Sequence, residues 1–401
     1  MRVLVQKRIT LGVTGSIAAY KAVALASALH QAGAVVDVAM TQDAQRFVAP
    51  LSFQAITHRP VFADLWAPGM ETDIAHVTLG RESDLILIVP ATAHSLAKLA
   101  HGLADDPVSV TALAARCPVV VAPAMDAGMY THPATAANVQ TLKQRGVVVV
   151  EPEEGHLASG LVGLGRLASQ ETIIDRVRAT LGRPGDLAGR KVLVTAGGTQ
   201  EAIDPVRFIS NRSSGKMGYS IAEAARDRGA HVTLVTTPTA LRSPSAMNVV
   251  QVRSAQQMLR AIEDEYPAAD ALIMVAAVAD FRVEQESTQK MKRGEQALEL
   301  RLVPNPDLLA STAALPTERR PVRVGFAAET QDLLEHAREK LARKSLDLIV
   351  ANNVAGDVFG SDENEVTLIW SDGRREHVGR APKPRIAERV LDAIVELFSQ
   401  R

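Results

Sequence analysis

Short runs of β-branched and other apolar residues alternate with amphipathic stretches along the whole chain, and this alternation restricts the fold more than any other feature. In the first half, the sequence predicts five strands buried on both faces of a parallel sheet: Ile9–Val13, Val35–Met40, Asp84–Pro90, Pro118–Ala122 and Val147–Val150. The stretches between them suit crossover helices, which are predicted at Ile17–Gln31, Ser95–Gly102 and Pro133–Arg145. The pattern indicates a doubly wound α/β domain.

The segment Gly182–Asp186 contains two glycines and a proline and is the predicted linker. The pattern then starts again, with five further predicted strands: Lys191–Ala196, Val232–Thr236, Ala271–Ala276, Val322–Ala327 and Leu346–Val350. A hairpin around Ser371–Gly373 and a final helix, Pro384–Phe398, complete it. Because 401 residues exceed one ordinary core, we predict two Rossmann-like domains, residues 1–182 and 187–401, the first of them flavodoxin-like.

Composition excludes several classes of protein. A net charge of −1 and 3% aromatic residues argue against binding to nucleic acid or to a membrane surface. The single cysteine, Cys117, excludes a disulfide framework within the chain and is predicted to be a small buried residue at a strand edge. No apolar run reaches the roughly 18 residues of a spanning helix. We therefore expect a cytoplasmic protein.

Two loops that follow predicted strands carry glycine and hydroxyl residues. Gly12–Ile17 lacks the third glycine of a dinucleotide fingerprint and any Walker lysine, so it is interpreted as a phosphate-binding helix start capped by Ser16, or as a tight structural turn. Neither loop has the spacing of an NAD-dependent dehydrogenase. The second loop, about twenty residues long, runs from Thr195 to Lys216 and is rich in donors, which predicts ligand binding over a merely solvated loop. Glu284–Gln296 is predicted to be a mobile loop.

The second half resembles the ligase domain of the bacterial bifunctional phosphopantothenoylcysteine decarboxylase / phosphopantothenate–cysteine ligase family. Five blocks carry the resemblance in order: Asp204–Lys216, Ala276–Phe281, Lys290–Arg293, Asn305–Asp307 and Gly325–Thr330. The resemblance implies that 4′-phosphopantothenate, CTP and Mg²⁺ give an acyl cytidylate, from which cysteine displaces CMP.

The resemblance also implies a set of ligase residues. Asn211 and the backbone at Ala276 and Ala277 would hold the acyl intermediate, Arg207 would support that site, and Lys290 would close over the second step. The residues implied for CTP are Asp280, Pro306, Asp307, Leu308, Leu309, Phe326, Lys340 and Lys344. The last two are spaced i and i+4, so one helix face could present both ammonium groups.

The first half resembles the flavoprotein decarboxylase domain of the same family, in Gly12–Tyr20, Met40–Val48, Pro90–Ala93 and Pro123–Met125. The family holds FMN at a subunit interface, which implies trimers of this domain, dimers of the ligase domain and commonly a dodecamer. The residues implied for FMN are Gly15, Ser16, Ile17, Thr41, Phe47, Thr92, Ala93, Ser109 and Met125. His76 occupies the position of the family's essential histidine.

Two positions depart from the decarboxylase pattern. Asp126 stands where the family has asparagine, and Ser159 stands where it has the cysteine that donates a proton. A serine hydroxyl is a far weaker acid than a thiol. Asp126 is expected to bind substrate in its protonated form, because a second carboxylate and burial raise its pKa. His156 or protonated Asp126 is the hypothetical replacement donor.

The leading interpretation is a bifunctional enzyme with both activities and with small-molecule partners only. Two alternatives concern the first half, which either is a flavin-binding scaffold for the ligase or stops at the oxidised enethiol. His76 and the flavin blocks favour a decarboxylase over a scaffold.

Overall fold

The computed structural model describes residues 2–66, 75–292, 298–317, 320–329, 339–353 and 360–401. The chain divides into two compact units, residues 1–182 and 183–401. Each unit has one main sheet with a cluster of buried apolar side chains on either face. The predicted doubly wound α/β class is confirmed.

The N-terminal unit contains a six-stranded parallel sheet in the order β3-β2-β1-β4-β5-β6. Its strands are β1 (Arg8–Val13), β2 (Val35–Met40), β3 (Val61–Phe62), β4 (Leu85–Ala91), β5 (Val119–Pro123) and β6 (Val148–Val149). This is the Rossmann order, whereas a flavodoxin-like sheet has the order 2-1-3-4-5. Within the confirmed class, this unit is therefore Rossmann-like in strand order. Strands β2 and β3 are added on one side of β1 and strands β4 to β6 on the other, so the order of strands reverses between β1 and β4.

Eight helices of this unit lie in the described residues: α1 (Ala19–Gln31), α2 (Pro50–Thr57), α3 (Ala75–Glu82), α4 (Ala93–His101), α5 (Pro107–Leu113), α6 (Ala127–Thr131), α7 (Pro133–Gln144) and α8 (Gln170–Gly182). An antiparallel hairpin, β7 (Glu153–His156) and β8 (Val162–Arg166), precedes α8. The sequence did not predict α2, α3 and α5, because seven or eight residues are too few for a helical period to stand out.

Ser16 is not the cap of α1, and that prediction is wrong. The helix starts at Ala19, and its N-cap residue is Ala18, whose side chain offers no acceptor. Ser16 lies in the preceding turn, where its hydroxyl accepts the N–H of Ala18 at 3.2 Å. Cys117 is half-buried just before β5, and burial raises the pKa of its thiol.

The C-terminal unit contains an eight-stranded sheet in the order β13-β12-β9-β14-β17-β18-β19-β20, of which the last two strands are antiparallel. The strands are β9 (Lys191–Ala196), β12 (His231–Thr236), β13 (Asn248–Gln251), β14 (Ala271–Met274), β17 (Val322–Glu329), β18 (Leu348–Asn353), β19 (Glu363–Trp370) and β20 (Arg375–Pro382). The final hairpin contains the predicted turn at Ser371–Gly373. Its first strand ends on Trp370, which is 2% exposed and lies 4.0 Å below the guanidinium of Arg374.

Four helices that lie wholly within the described residues accompany this sheet: α9 (Lys216–Asp227), α10 (Ala255–Glu265), α11 (Leu308–Ala313) and α12 (Lys383–Ser399); residues 339–343 are also helical. Two small antiparallel pairs lie outside it, β10 (Gln200–Ala202) with β11 (Phe208–Ser210) and β15 (Phe281–Val283) with β16 (Leu302–Pro304). The long donor-rich loop thus contains a hairpin, whose three-residue strands are too short to show alternation in sequence.

Residues 284–292 of the predicted mobile loop have neither helix nor strand, and residues 293–296 lie outside the described part. Within the described ranges, none of the helices combines the length and the apolar character that crossing a membrane requires.

Candidate active sites

A cavity of about 760 Å³ opens at the carboxyl ends of the parallel strands in the C-terminal unit. It lies beside the paired strands β9 and β14, between which the strand order of the sheet reverses, and this is the position at which doubly wound sheets bind ligands. Eleven of the predicted ligase residues line it: Asn211, Ala276, Ala277, Asp280, Pro306, Asp307, Leu308, Leu309, Phe326, Lys340 and Lys344. One cavity thus gathers predicted residues as far apart in the sequence as Asn211 and Lys344, a separation of 133 positions.

Hydrogen bonds to the main chain fix the wall of this cavity. The Asn211 amide donates to the carbonyls of Ala277 at 3.3 Å and Val278 at 3.2 Å. The buried hydroxyl of Thr195 accepts the N–H groups of Val275 and Ala276, both at 3.1 Å. The loop after β14 is therefore held from two sides, and the Asn211 amide group lies against the cavity.

Two lysines and one carboxylate mark one side of the cavity. Lys340 donates to the carbonyl of Phe326 at 3.2 Å, and the Lys344 ammonium lies 3.0 Å from Asp307. Burial alone would raise the pKa of Asp307, but the hydrogen bonds from Lys344 and from the Ala310 N–H hold the pKa below its usual value. Asp307 also caps α11, so its carboxylate is already engaged by the helix start and by Lys344. The Lys344 N–H bonds the Lys340 carbonyl at 3.0 Å, as expected for one helical turn.

Arg207 and Lys290 do not line the cavity. Arg207 lies in the turn between β10 and β11, and its guanidinium donates to the carbonyl of Met291 at 2.7 Å. Lys290 is exposed in the irregular segment after β15. Arg293, the last residue of the block that resembles the family's flexible loop, lies outside the described residues.

The N-terminal unit has a cavity of about 920 Å³ at the carboxyl ends of β1, β2, β4 and β5. Six of the residues predicted for FMN line it: Gly15, Ser16, Thr41, Thr92, Ala93 and Met125. Thr92 caps α4 by accepting the N–H of Ser95 at 3.2 Å, and its own N–H bonds the Thr14 hydroxyl at 3.2 Å. A side chain at Gly15 would place its Cβ 2.4 Å from Cβ of Asp43, so only glycine fits this wall.

Three residues predicted for FMN lie elsewhere. Ile17 and Phe47 are exposed, at 59% and 50%, and neither lines this cavity. Ser109 is buried on α5, where it forms a capping box with Asp106: the Ser109 N–H bonds the carboxylate at 2.9 Å, and the Asp106 N–H bonds the Ser109 hydroxyl at 3.2 Å. The Ser109 hydroxyl is therefore engaged in capping α5.

His76 lies on α3, half-buried, and is not part of the cavity wall. Asp126 and Ser159, the two departures from the decarboxylase pattern, are in direct contact: the Ser159 hydroxyl donates to Oδ2 of Asp126 at 2.7 Å. Oδ1 of Asp126 accepts the N–H of Gly128 at 3.0 Å and caps α6. The turn between β7 and β8 therefore lies against the start of α6, directly after the cavity residue Met125.

The hydrogen bonds from Ser159 and from the Gly128 N–H lower the pKa of Asp126. The sequence led us to expect a raised pKa when a substrate carboxylate lies beside Asp126, and for that complex the expectation stays a prediction. In the structure, the carboxylate accepts two hydrogen bonds, which favour its ionised form.

Comparison with known proteins decides the family. The family model described as DNA/pantothenate metabolism flavoprotein C-terminal domain matches residues 187–398, and the model described as Flavoprotein matches residues 2–182. A coenzyme A biosynthesis bifunctional protein CoaBC from Mycobacterium tuberculosis is 47% identical over 412 residues, which cover 98% of both chains. The protein of the same name from Bacillus subtilis is 43% identical over 399 residues, again 98% of both chains. This chain belongs to the CoaBC family of bifunctional coenzyme A biosynthesis proteins.

Membership in the CoaBC family confirms the resemblance seen in the sequence. A third relative, from Vibrio cholerae, is 43% identical over 400 residues, 99% of this chain and 100% of its own. The match is therefore end to end, and the chain combines a flavoprotein domain with the family's C-terminal domain. The scaffold and enethiol alternatives are not favoured.

The sequence missed two lysines that line the cavities. In the C-terminal unit, Lys383 at the start of α12 lines the wall beside Lys216, and the pKa of Lys383 is lowered by burial and by that second ammonium. In the N-terminal unit, Lys98 on α4 lines the wall and lies 2.6 Å from Asp105 and 2.8 Å from Asp106. No local motif marks either lysine. By contrast, Asp106 followed by Pro107 is the residue pair expected at an N-cap and the first helical position, so the start of α5 could have been predicted from the sequence.

Proposed function

We propose that the C-terminal unit joins 4′-phosphopantothenate to cysteine and cleaves CTP to CMP and pyrophosphate in doing so. The observation that carries the proposal is the single cavity that collects Asn211, Ala276, Ala277 and the residues implied for CTP. In the first step, the carboxylate of 4′-phosphopantothenate attacks the α-phosphate of CTP, which forms an acyl cytidylate and releases pyrophosphate. In the second, the cysteine amine attacks the acyl carbon, CMP leaves, and the amine loses a proton.

The residues of the cavity suit this reaction because an anionic nucleophile must approach an anionic triphosphate. Fixed cations and N–H donors offset that repulsion in advance, and Lys340 and Lys344 supply two positive charges on one side. The bonds from the Asn211 amide to two carbonyls fix this side chain where the resemblance places the acyl intermediate. Arg207 and Lys290 act from outside the wall, since Arg207 bonds the carbonyl of Met291, the residue directly after Lys290.

We propose that Mg²⁺ reaches this cavity on the triphosphate. Among the described residues, there is no group of three or more histidine, cysteine, aspartate or glutamate side chains that could hold a metal ion by itself. Asp280, exposed at the cavity, and Asp307, paired with Lys344, are the carboxylates of the wall. Of the two, Asp280 is the one that would complete the coordination of a triphosphate-bound ion.

Exchange of labelled pyrophosphate into CTP tests the first step in isolation. The proposal predicts exchange that requires 4′-phosphopantothenate and does not require cysteine. Exchange that needs cysteine would contradict an acyl cytidylate formed before the amine attacks.

We propose that FMN occupies the cavity of the N-terminal unit. The residues fit the group: Ser16, Thr41 and Thr92 provide hydroxyls, the start of α4 suits a phosphate monoester, and Gly15 leaves room for close approach. When bound, the flavin supplies the removal of a hydride from the substrate and its later return. The chain's own residues bind and orient the substrate, phosphopantothenoylcysteine, so that its carboxylate leaves as CO₂ and 4′-phosphopantetheine is formed.

We propose that Asp126 and Ser159 act as one proton-holding pair in this reaction. With Asp126 ionised, the Ser159 proton points at Oδ2 and not at a substrate. Once Asp126 has taken up a proton, the pair carries one proton more and can pass it to the substrate from either oxygen. Turnover of Asp126→Asn and His156→Ala proteins discriminates the donors: loss in the first alone supports the pair, and loss only in the second assigns the role to His156.

His76 and the exposed Ile17 and Phe47 fit a flavin site that is completed by a neighbouring subunit. We therefore propose trimers of the N-terminal unit and dimers of the C-terminal unit, giving a dodecamer, in the cytoplasm. Exposed apolar side chains support both contacts: Tyr20 and Leu51 in the first unit, Phe208 and Phe281 in the second. Light scattering after size exclusion tests the assembly, and a monomer at micromolar concentration would contradict it.

A further inference from the structure

The turn between β10 and β11 is built around one buried carboxylate. The side chain of Asp204 has no exposed surface, and its Oδ1 accepts the N–H groups of Val206 and Arg207, both at 2.8 Å. The Ile203 N–H closes the turn on the carbonyl of Arg207 at 2.9 Å. These bonds explain the shape of the turn, and they use only one of the two carboxylate oxygens.

The second oxygen reaches across to a distant segment. Oδ2 of Asp204 accepts the N–H of Met291 at 3.2 Å, while the Arg207 guanidinium donates to the carbonyl of the same residue at 2.7 Å. A third bond joins the segments, from the Ser287 N–H to the Ile203 carbonyl at 3.0 Å. The turn therefore holds residues 287–291 through three bonds to main-chain groups of that segment. None of the three bonds involves a side chain of the segment.

The docked segment contains Lys290, the exposed residue directly before Met291. The second strand of the hairpin, β11, leads directly to Asn211, whose amide is fixed to the wall of the ligase cavity. The base of the hairpin is anchored as well, because Glu201 accepts the N–H of Ala255 at 2.9 Å. One short hairpin thus links the main chain at Lys290 to the cavity wall.

We propose that Asp204 is a positioning residue of the ligase, whose carboxylate, together with the Arg207 guanidinium, sets where Lys290 stands relative to Asn211. The proposal rests on the proposed ligase function. A carboxylate is required because both oxygens accept from N–H groups. An amide of the same shape has one oxygen only, so its NH₂ group must meet either the turn or the Met291 N–H as donor against donor.

The test compares Asp204→Asn with two matched controls in the full-length chain. Met291→Ala leaves both main-chain bonds in place, and Asp372→Asn makes the same chemical change in another turn, where the carboxylate accepts the N–H of Arg374 at 2.8 Å. In Asp204→Asn we expect ligase kcat to fall roughly 10- to 100-fold, the loss typical of a misplacement of about 1 Å, with little change in the KM for CTP. Both controls should keep the parent values, and decarboxylation of added phosphopantothenoylcysteine should be unchanged in all three proteins.

Hydrogen exchange tests separately whether Asp204 holds the segment in place, and the comparison with kcat then separates a positioning role from a purely structural one. The proposal predicts at least tenfold faster exchange of the Ser287 and Met291 N–H groups in Asp204→Asn, with unchanged exchange in β9. Faster exchange with an unaltered kcat would overturn the role in positioning, and unaltered exchange would overturn the docking itself. If Asp204→Asn does not fold, Met291→Pro removes the same N–H bond without touching the turn, and the same outcomes decide. A parent chain that performs no CTP-dependent ligation would refute the proposed function, whereas the exchange comparison would still test the docking.

Discussion

Gly218, the third residue of α9, is the point at which this helix touches the central strand β9. A Cβ built on it would lie 2.6 Å from Cβ of Ala196 and 2.9 Å from the Thr195 carbonyl oxygen. Ordinary contact begins at 3.4 Å, so the Gly218→Ala helix must move away from the strand by about 0.8 Å, which is 3.4 minus 2.6. Both Gly218 and the adjoining Met217 line the ligase cavity, so the displacement alters the cavity itself.

Two effects oppose each other in the stability of this variant. Overpacking of a filled contact costs about 1–3 kcal/mol. Alanine is favoured over glycine inside a helix by about 1 kcal/mol. The balance is a loss of about 0–2 kcal/mol, which for a unit of this size lowers Tm by up to about 8 °C. The effect on the ligase should be larger, because a shift of this order can cost about 100-fold in rate.

The assay is CTP-dependent ligation together with thermal unfolding of the full chain. Gly379→Ala is the matched control, since Gly379 lies on the exposed strand β20 and nothing approaches its Cβ position within 4 Å. The decarboxylase reaction of the other unit should stay at the parent rate. A Gly218→Ala protein with ligase activity within threefold of the parent and a raised Tm would refute the view that close contact at this glycine shapes the cavity.

Three further predictions follow from single contacts. Lys344→Met should raise the KM for CTP about tenfold in steady-state kinetics and return the pKa of Asp307 toward its ordinary value; an unchanged KM would exclude Lys344 from the nucleotide site. Glu376→Gln should lower Tm by a few degrees at neutral pH, because Arg389 holds the pKa of Glu376 below its usual 4.5. That stabilisation is present above pH 4.5 and is lost as the pH falls through the lower folded pKa, so calorimetry should show the two proteins converge in acid. Ser159→Ala should slow formation of 4′-phosphopantetheine about 100-fold by mass spectrometry if the proton-holding pair operates, and a parent rate would contradict it.

The sequence predicted the parallel strands well because their signal is local. β2 and β9 were predicted with their observed bounds, since both are continuous buried runs between clear breaks. Residues at the carboxyl ends of such strands, such as Thr92 and Ala276, meet at one edge of the sheet by geometry alone. The same rule explains why most of the predicted cavity residues are found together.

Residues whose position depends on long-range packing escaped prediction. Lys383 reaches the ligase cavity only because the antiparallel strands β19 and β20 precede α12, and nothing next to it in the sequence indicates a site. The contact between Asp126 and Ser159 likewise depends on how the β7–β8 hairpin folds over α6. Ser109 shows the opposite case, since a local capping box uses a hydroxyl that was predicted for the flavin.

The most direct test of the account follows the complete reaction. The flavin-loaded protein is incubated with 4′-phosphopantothenate, cysteine and CTP, and the products are identified by mass spectrometry. The account predicts 4′-phosphopantetheine together with CMP and pyrophosphate, which requires both units and the Asp126–Ser159 pair. Phosphopantothenoylcysteine that accumulates unchanged, or a product two hydrogens lighter than 4′-phosphopantetheine, would contradict it.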